Sequence, residues 1–158
     1  MNRFVVSTDP VLAGTVLPDK LTVKMCLEEG QMLSTACRVM GIDNPNLYKI
    51  AHKNHPCSIW CRTTQDNFIW AYTHAMAICE EYTRRYGKVH KSQAVIEIAS
   101  NYWDKMPPGP LTNFPQCMPQ ELTHATDPTI AYKKYMTTKP YWQDRPFRKG
   151  RDFSNFYS

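Results

Sequence analysis

Residues 65–87 read QDNFIWAYTHAMAICEEYTRRYG, and the spacing of their apolar members decides the fold. Phe68, Tyr72, Ala75, Cys79, Tyr82 and Tyr86 recur at three- and four-residue steps, the period of an α-helix, and Gly87 supplies the stop. A second such stretch, Asp19 to Met40, carries Leu21, Met25, Met32, Ala36 and Val39 on one face and closes at Gly41. Further helices are expected from about Pro56 and from Ser92, an N-cap residue type, to about Lys105 with Val95, Ile98, Ala99 and Tyr102 inward. A last one runs from Asp127-Pro128 to about Thr138, the acid capping and the proline opening the first turn. Phe4 to Ser7 is short and β-branched, a strand or an extended arm, and Thr8-Asp9-Pro10 marks a turn. The stretch 106–120, MPPGPLTNFPQCMPQ, holds five prolines and excludes regular structure. The expected fold is therefore mainly α, a compact single-domain helical bundle with proline-rich loops. A helical domain spans 1–140, and a basic, aromatic C-terminal tail extends over 141–158.

The chain of 158 residues suffices for one core. A formal net charge of +5 favours an anionic partner, nucleic acid or a nucleotide. No apolar run approaches the ~20 residues of a membrane span, and the N-terminus lacks the apolar core of a secretory signal. The six cysteines then read as reduced thiols in a cytoplasmic protein. The tail mixes Arg145, Arg148, Lys149 and Arg151 with six aromatics, which suits a strap packed over the domain or an arm on nucleic acid.

Four of the five histidines fall between His52 and Ser92. On the helix of 65–87, Asn67, Trp70, His74, Glu81 and Arg85 share one face. Such a face either packs on a neighbour, with Glu81 and Arg85 as an i,i+4 ion pair, or lines a pocket. Arg84, Arg85, Lys88, His90 and Lys91, beside Tyr82 and Tyr86 and together with Arg62 and Lys53, make the best anion site in the chain. Glu28 interrupts the apolar stripe of 19–40, as a buried acid held by Arg or His or as an acid–base group beside a pocket. Glu29 is expected to face solvent. His52, His55, Cys57 and Cys61 are ligand types, but their spacing fits no standard zinc pattern, so neither metal nor cofactor is expected.

The order "LPDKLTVKMCLEEGQML", "NHPCSIWCR", "DNFIWAYTHAMAICEEYTRRYGKVHKS", "FPQCMPQE" and "DPTIAYKKYM" resembles a family of uncharacterised proteins common in phage genomes, over about residues 4–140. More remotely, the chain resembles the phage pyrimidine-dimer DNA glycosylase (endonuclease V) family. That resemblance implies a compact all-helical domain whose first long helix carries an essential glutamate, which falls on Glu28. It also implies an N-terminal α-amine as nucleophile. Here Met1 precedes Asn2, which leaves the initiator methionine in place, and about five additional residues precede the helix, so the amine need not reach Glu28. Leu27 and Gln31 stand where the family has arginines.

These readings give three functions. The first is a DNA-binding, glycosylase-like phage protein acting on a base or nucleotide, with Glu28 as catalytic residue. Arg62, Asn67, Trp70, His74, Glu81, Arg84, Arg85, Lys88, His90 and Lys91 would bind ligand or phosphate. The second is a non-catalytic sponge for a nucleotide-derived signal. The third is an inhibitor of a host protein acting through the tail, in the host cytoplasm.

Overall fold

The computed structural model describes residues 1–158 and is all-helical, with no β-strand. Seven α-helices follow one another: α1 (Pro10–Thr15), α2 (Asp19–Val39), α3 (Pro56–Thr63), α4 (Gln65–Tyr86), α5 (Ser92–Ser100), α6 (Pro128–Thr137) and α7 (Pro140–Gln143). The long pair α2 and α4, each roughly 32 Å by its residue count, forms the centre. α1 crosses α4, while α3 and α5 flank α2. Met25, Met32, Leu33 and Cys37 of α2 meet Phe68, Ala71, Ala75, Ile78 and Cys79 of α4 in one apolar cluster. No helix is long and apolar enough to cross a membrane.

Local chemistry sets the boundaries. The Thr64 hydroxyl accepts the N–H of Asn67 and caps α4, and Gly87 ends it with φ at 71°, a left-handed value that favours glycine. Gly41, at φ 87°, follows α2 in the same way. Asp127 accepts from Thr129 and caps α6, with Pro128 in its first turn. The turn expected at Thr8-Asp9-Pro10 is instead the capped start of α1, because the Asp9 carboxylate accepts from both Val11 and Leu12. Ser92 is not a cap. It is buried within α5, and its hydroxyl pairs with that of Tyr48 at 2.8 Å. α5 stops at Ser100 and a 3-10 turn, Trp103–Lys105, takes over. Ala99 is buried as expected, Ile98 and Tyr102 pack against the core from the half-buried edge, and Ile96 joins Ala99 at 0% exposure.

Residues 3–6 are buried without pairing into a sheet, and the Val6 N–H turns back onto the Phe4 carbonyl at 2.9 Å. The Phe4 ring lies between Tyr132 and Tyr135 of α6, 6.2 and 6.3 Å away. Residues 141–158 lie against the bundle. Asp19 takes the Arg148 N–H at 2.6 Å and donates its own N–H to the Pro146 carbonyl. Tyr157 reaches the Val16 carbonyl at 2.8 Å.

α1 crosses α4 at Gly14, where a Cβ would stand 2.8 Å from the His74 carbonyl oxygen and 2.9 Å from the Ala77 Cβ. The obstacle is mostly backbone, which cannot rotate away. Gly14→Ala would gain up to ~1 kcal/mol of helix propensity but lose about 1–3 kcal/mol to overpacking. A lower urea midpoint with an unchanged slope is the expected result.

Candidate functional site

The polar face of α4 points into the protein. Asn67 donates to the Trp60 carbonyl and the Thr112 hydroxyl and accepts the Thr112 N–H at 2.9 Å. Trp70 donates its indole N–H to the Thr8 carbonyl, and its ring stacks on His74 at 5.0 Å. Arg85 donates to Glu81, to the carbonyls of Leu17 and Thr15, and to Thr22 and Asp19. Arg151 of the tail closes on Glu81 at 2.6 Å, and Phe147 and Phe153 cover the Arg85 guanidinium. This face therefore presents no ligand groove. Apart from His74 Nε2, its polar side-chain atoms are taken up by carbonyls of residues 8–17 and of Trp60, by the 112 loop and by the tail. Arginines hold the Glu81 carboxyl below its usual range against the opposing effect of burial, Arg151 and Arg85 being the donors.

His74 has one nitrogen 3.2 Å from the Pro10 carbonyl, while Nε2 has no hydrogen-bond partner and sits 3.9 Å from Glu29. Burial, and next the Arg3 charge, push its pKa down to about 3. The folded chain then refuses a proton that the unfolded chain accepts below about 6.5. This contribution to stability is present above pH 6.5 and is lost as pH falls towards 3, up to ~4 kcal/mol. Urea midpoints measured from pH 7 to 4 should fall, and His74→Phe, which keeps the ring on Trp70, should flatten that fall.

The remaining candidates separate. Arg62 holds the Ser58 hydroxyl, and Arg84 is exposed beside Glu80 and Glu81. Lys88 is exposed at the end of α4. His90 and Lys91, however, reach the wall of a cavity of about 460 Å³ that also contains Glu28. Burial, followed by the charge of Lys91, lowers the His90 pKa.

In the lining of this cavity Glu28 Oε1 lies 3.4 Å from the α-amine of Met1, and Oε2 lies 3.6 Å from Lys24 with no hydrogen-bond partner. From the sequence the amine need not reach Glu28; in the structure it does. The Met1 side chain is 3% exposed although the residue as a whole is half-buried, so what it shows to solvent is its main-chain end. The next two residues fix that position. Asn2 donates to the Cys117 carbonyl at 2.8 Å and accepts from Tyr132 and from the Arg3 N–H. Arg3 grips Glu29 through Nε at 3.0 Å and Nη2 at 2.8 Å, and gives Nη1 to the Cys57 carbonyl. Glu29 is thus 0% exposed rather than solvent-facing. Burial raises its carboxyl, opposed by Arg3, and Glu29 in turn keeps the guanidinium charged despite burial.

Val23 and Leu27 give the cavity an apolar wall, and each is 40% exposed. Lys24, Lys91, His52 and His90 surround it with cationic or proton-accepting side chains, and Gln31 adds an amide. His52 holds a left-handed φ of 48°, a conformation that costs a non-glycine residue about 1 kcal/mol or more. Sequence reasoning found Glu28, His90 and Lys91, met the Met1 amine only through the family resemblance and His52 only as a metal-ligand type, and missed Lys24. The acid inside the stripe was the one anomaly local to its own helix, because the other lining residues come from separate segments. No protein-family model matches the chain, and neither does any curated protein or solved structure.

Proposed function

We propose that the protein acts on nucleic acid as a glycosylase-type enzyme, with the Met1 α-amine as nucleophile and Glu28 as its acid–base partner. The observation that carries this reading is the 3.4 Å approach of the amine to Glu28 inside a cavity. At about 460 Å³ the space suits a nucleotide turned out of a helix. Leu27 and Val23 offer a flat apolar wall to a base, and Lys24 and Lys91 offer charge to the flanking phosphates.

The amine attacks as the free base, its lone pair forming a bond to C1′ of the deoxyribose. The C1′–base bond breaks, and the base leaves with that electron pair and takes up a proton. Loss of the second amine proton and opening of the sugar ring give an imine between Met1 and C1′. Glu28 is within reach of the amine protons and can return one to the ring oxygen.

The test is to incubate the protein with duplexes carrying an abasic site or a pyrimidine dimer in the presence of borohydride. An adduct that maps to the Met1 nitrogen by mass spectrometry is expected. No adduct, together with recovery of an intact free nucleotide from the denatured protein, would replace this reading with that of a nucleotide sponge.

A further inference from the structure

We propose that His55, Cys57 and Cys117 form a binding site for a soft transition-metal ion of the zinc type, which fastens the N-terminal segment onto the domain. The three side chains offer one imidazole nitrogen and two sulfurs, all within 4.8 Å of one another. The two sulfurs are 3.7 Å apart. A disulfide would need about 2.05 Å, whereas two thiolates on a tetrahedral zinc, with Zn–S near 2.3 Å, stand about 3.8 Å apart. At the observed spacing both sulfurs can bind one ion without moving apart. Two sulfurs and an imidazole are also the donor set that favours zinc over magnesium or calcium, which take oxygen.

The protein brings these ligands together from distant parts of the chain. His55 and Cys57 flank the start of α3, where the His55 ring accepts the Cys57 N–H at 3.1 Å. Cys117 comes from the proline-rich loop, 60 positions later. Spacing within residues 52–61 could not reveal the site, because its third ligand lies outside that stretch. Cys61 is buried in the core and takes no part.

Three protein ligands leave a fourth position open, as in zinc sites that hold an exchangeable group. The Asn2 amide oxygen, 3.6 Å from the Cys57 sulfur, stands at a spacing suited to that position. An ion here would therefore join α3, the 117 loop and Asn2 through bonds stronger than the present thiol contacts. The site depends on no assumption about the reaction proposed above, since neither Met1 nitrogen nor Glu28 belongs to it.

The reduced, metal-free protein would be titrated with cobalt(II) and then with zinc. The expected result is one equivalent of cobalt per chain, with a thiolate-to-cobalt charge-transfer band and tetrahedral visible bands that zinc abolishes. Zinc should also raise the Tm. Cys117→Ser, on a half-buried loop position that the fold can tolerate, and His55→Gln should each weaken zinc binding at least about 10-fold. Cys37→Ser, remote from the cluster, should leave the spectrum unchanged. Absence of the charge-transfer band in the reduced wild-type protein would overturn the proposal, as would a Cys117→Ser protein that binds cobalt with wild-type affinity and wild-type band intensity.

Discussion

Glu28→Gln is expected to slow adduct formation on abasic DNA by ~10²–10⁴-fold, the usual contribution of a positioned acid–base group. The carboxamide keeps the shape of the side chain in the lining of the cavity but cannot take a proton from the amine 3.4 Å away. Affinity for the duplex should stay within about twofold, because the phosphates would be met by Lys24 and Lys91 rather than by an acid. Single-turnover rates and equilibrium binding on the same duplex separate these effects. An unchanged rate would reduce Glu28 to an anchor for the N-terminus. A parallel loss of binding and rate would mean that it shapes the cavity rather than moves protons.

Arg3→Met should destabilise the fold by about 3–5 kcal/mol, the range for removing one partner of a buried ion pair. Glu29, at 0% exposure, would lose both donors and the charge that opposes its burial, leaving the carboxyl to stand unpaired or take up a proton, and the Cys57 carbonyl would lose a third donor. With a typical domain stability of ~5–15 kcal/mol, that is a large part of the total. Replacing both members, Arg3→Met with Glu29→Met, should recover much of the loss, since a well-packed apolar pair avoids the uncompensated charge. Urea unfolding of the two single variants and the double variant measures the coupling. Additive losses would show that the pair contributes packing rather than charge. Because Arg3 also anchors the segment that holds Met1, the single variant should lose amine reactivity under conditions where it is still folded.

Much of the helical framework was legible in the sequence. The stripes of α2 and α4 and the glycines after each are local signals, and they placed both helices within a residue of where they lie. The site was legible only in part, for a physical reason. A polar residue on a helix face declares its spacing but not its partner. Asn67, Trp70 and His74 resemble ligand-binding groups until Thr112, Thr8 and Pro10 are seen to satisfy them. Those partners lie 45 to 64 positions away. Glu29 was misread for the same reason, since its counter-ion comes from residue 3. Glu28 was recognisable because its anomaly is local, an acid where the helical period requires an apolar side chain.

The burial of residues 2–6 also dictates an order of events during biosynthesis. Asn2 is held by the Cys117 carbonyl and the Tyr132 hydroxyl, contacts separated by 115 and 130 positions along the chain. A ribosome releases the early segment first but supplies its binding surface nearly last. At ~5–20 residues per second, Phe4, Val5 and Val6 remain exposed for roughly 6–26 seconds while α2 and α4 emerge and collapse. Closure of the cavity is therefore a late step, and the amine reaches Glu28 only after α6 has left the exit tunnel. A nascent chain stalled before residue 132 should carry a formed α2–α4 pair and an N-terminus still open to proteases.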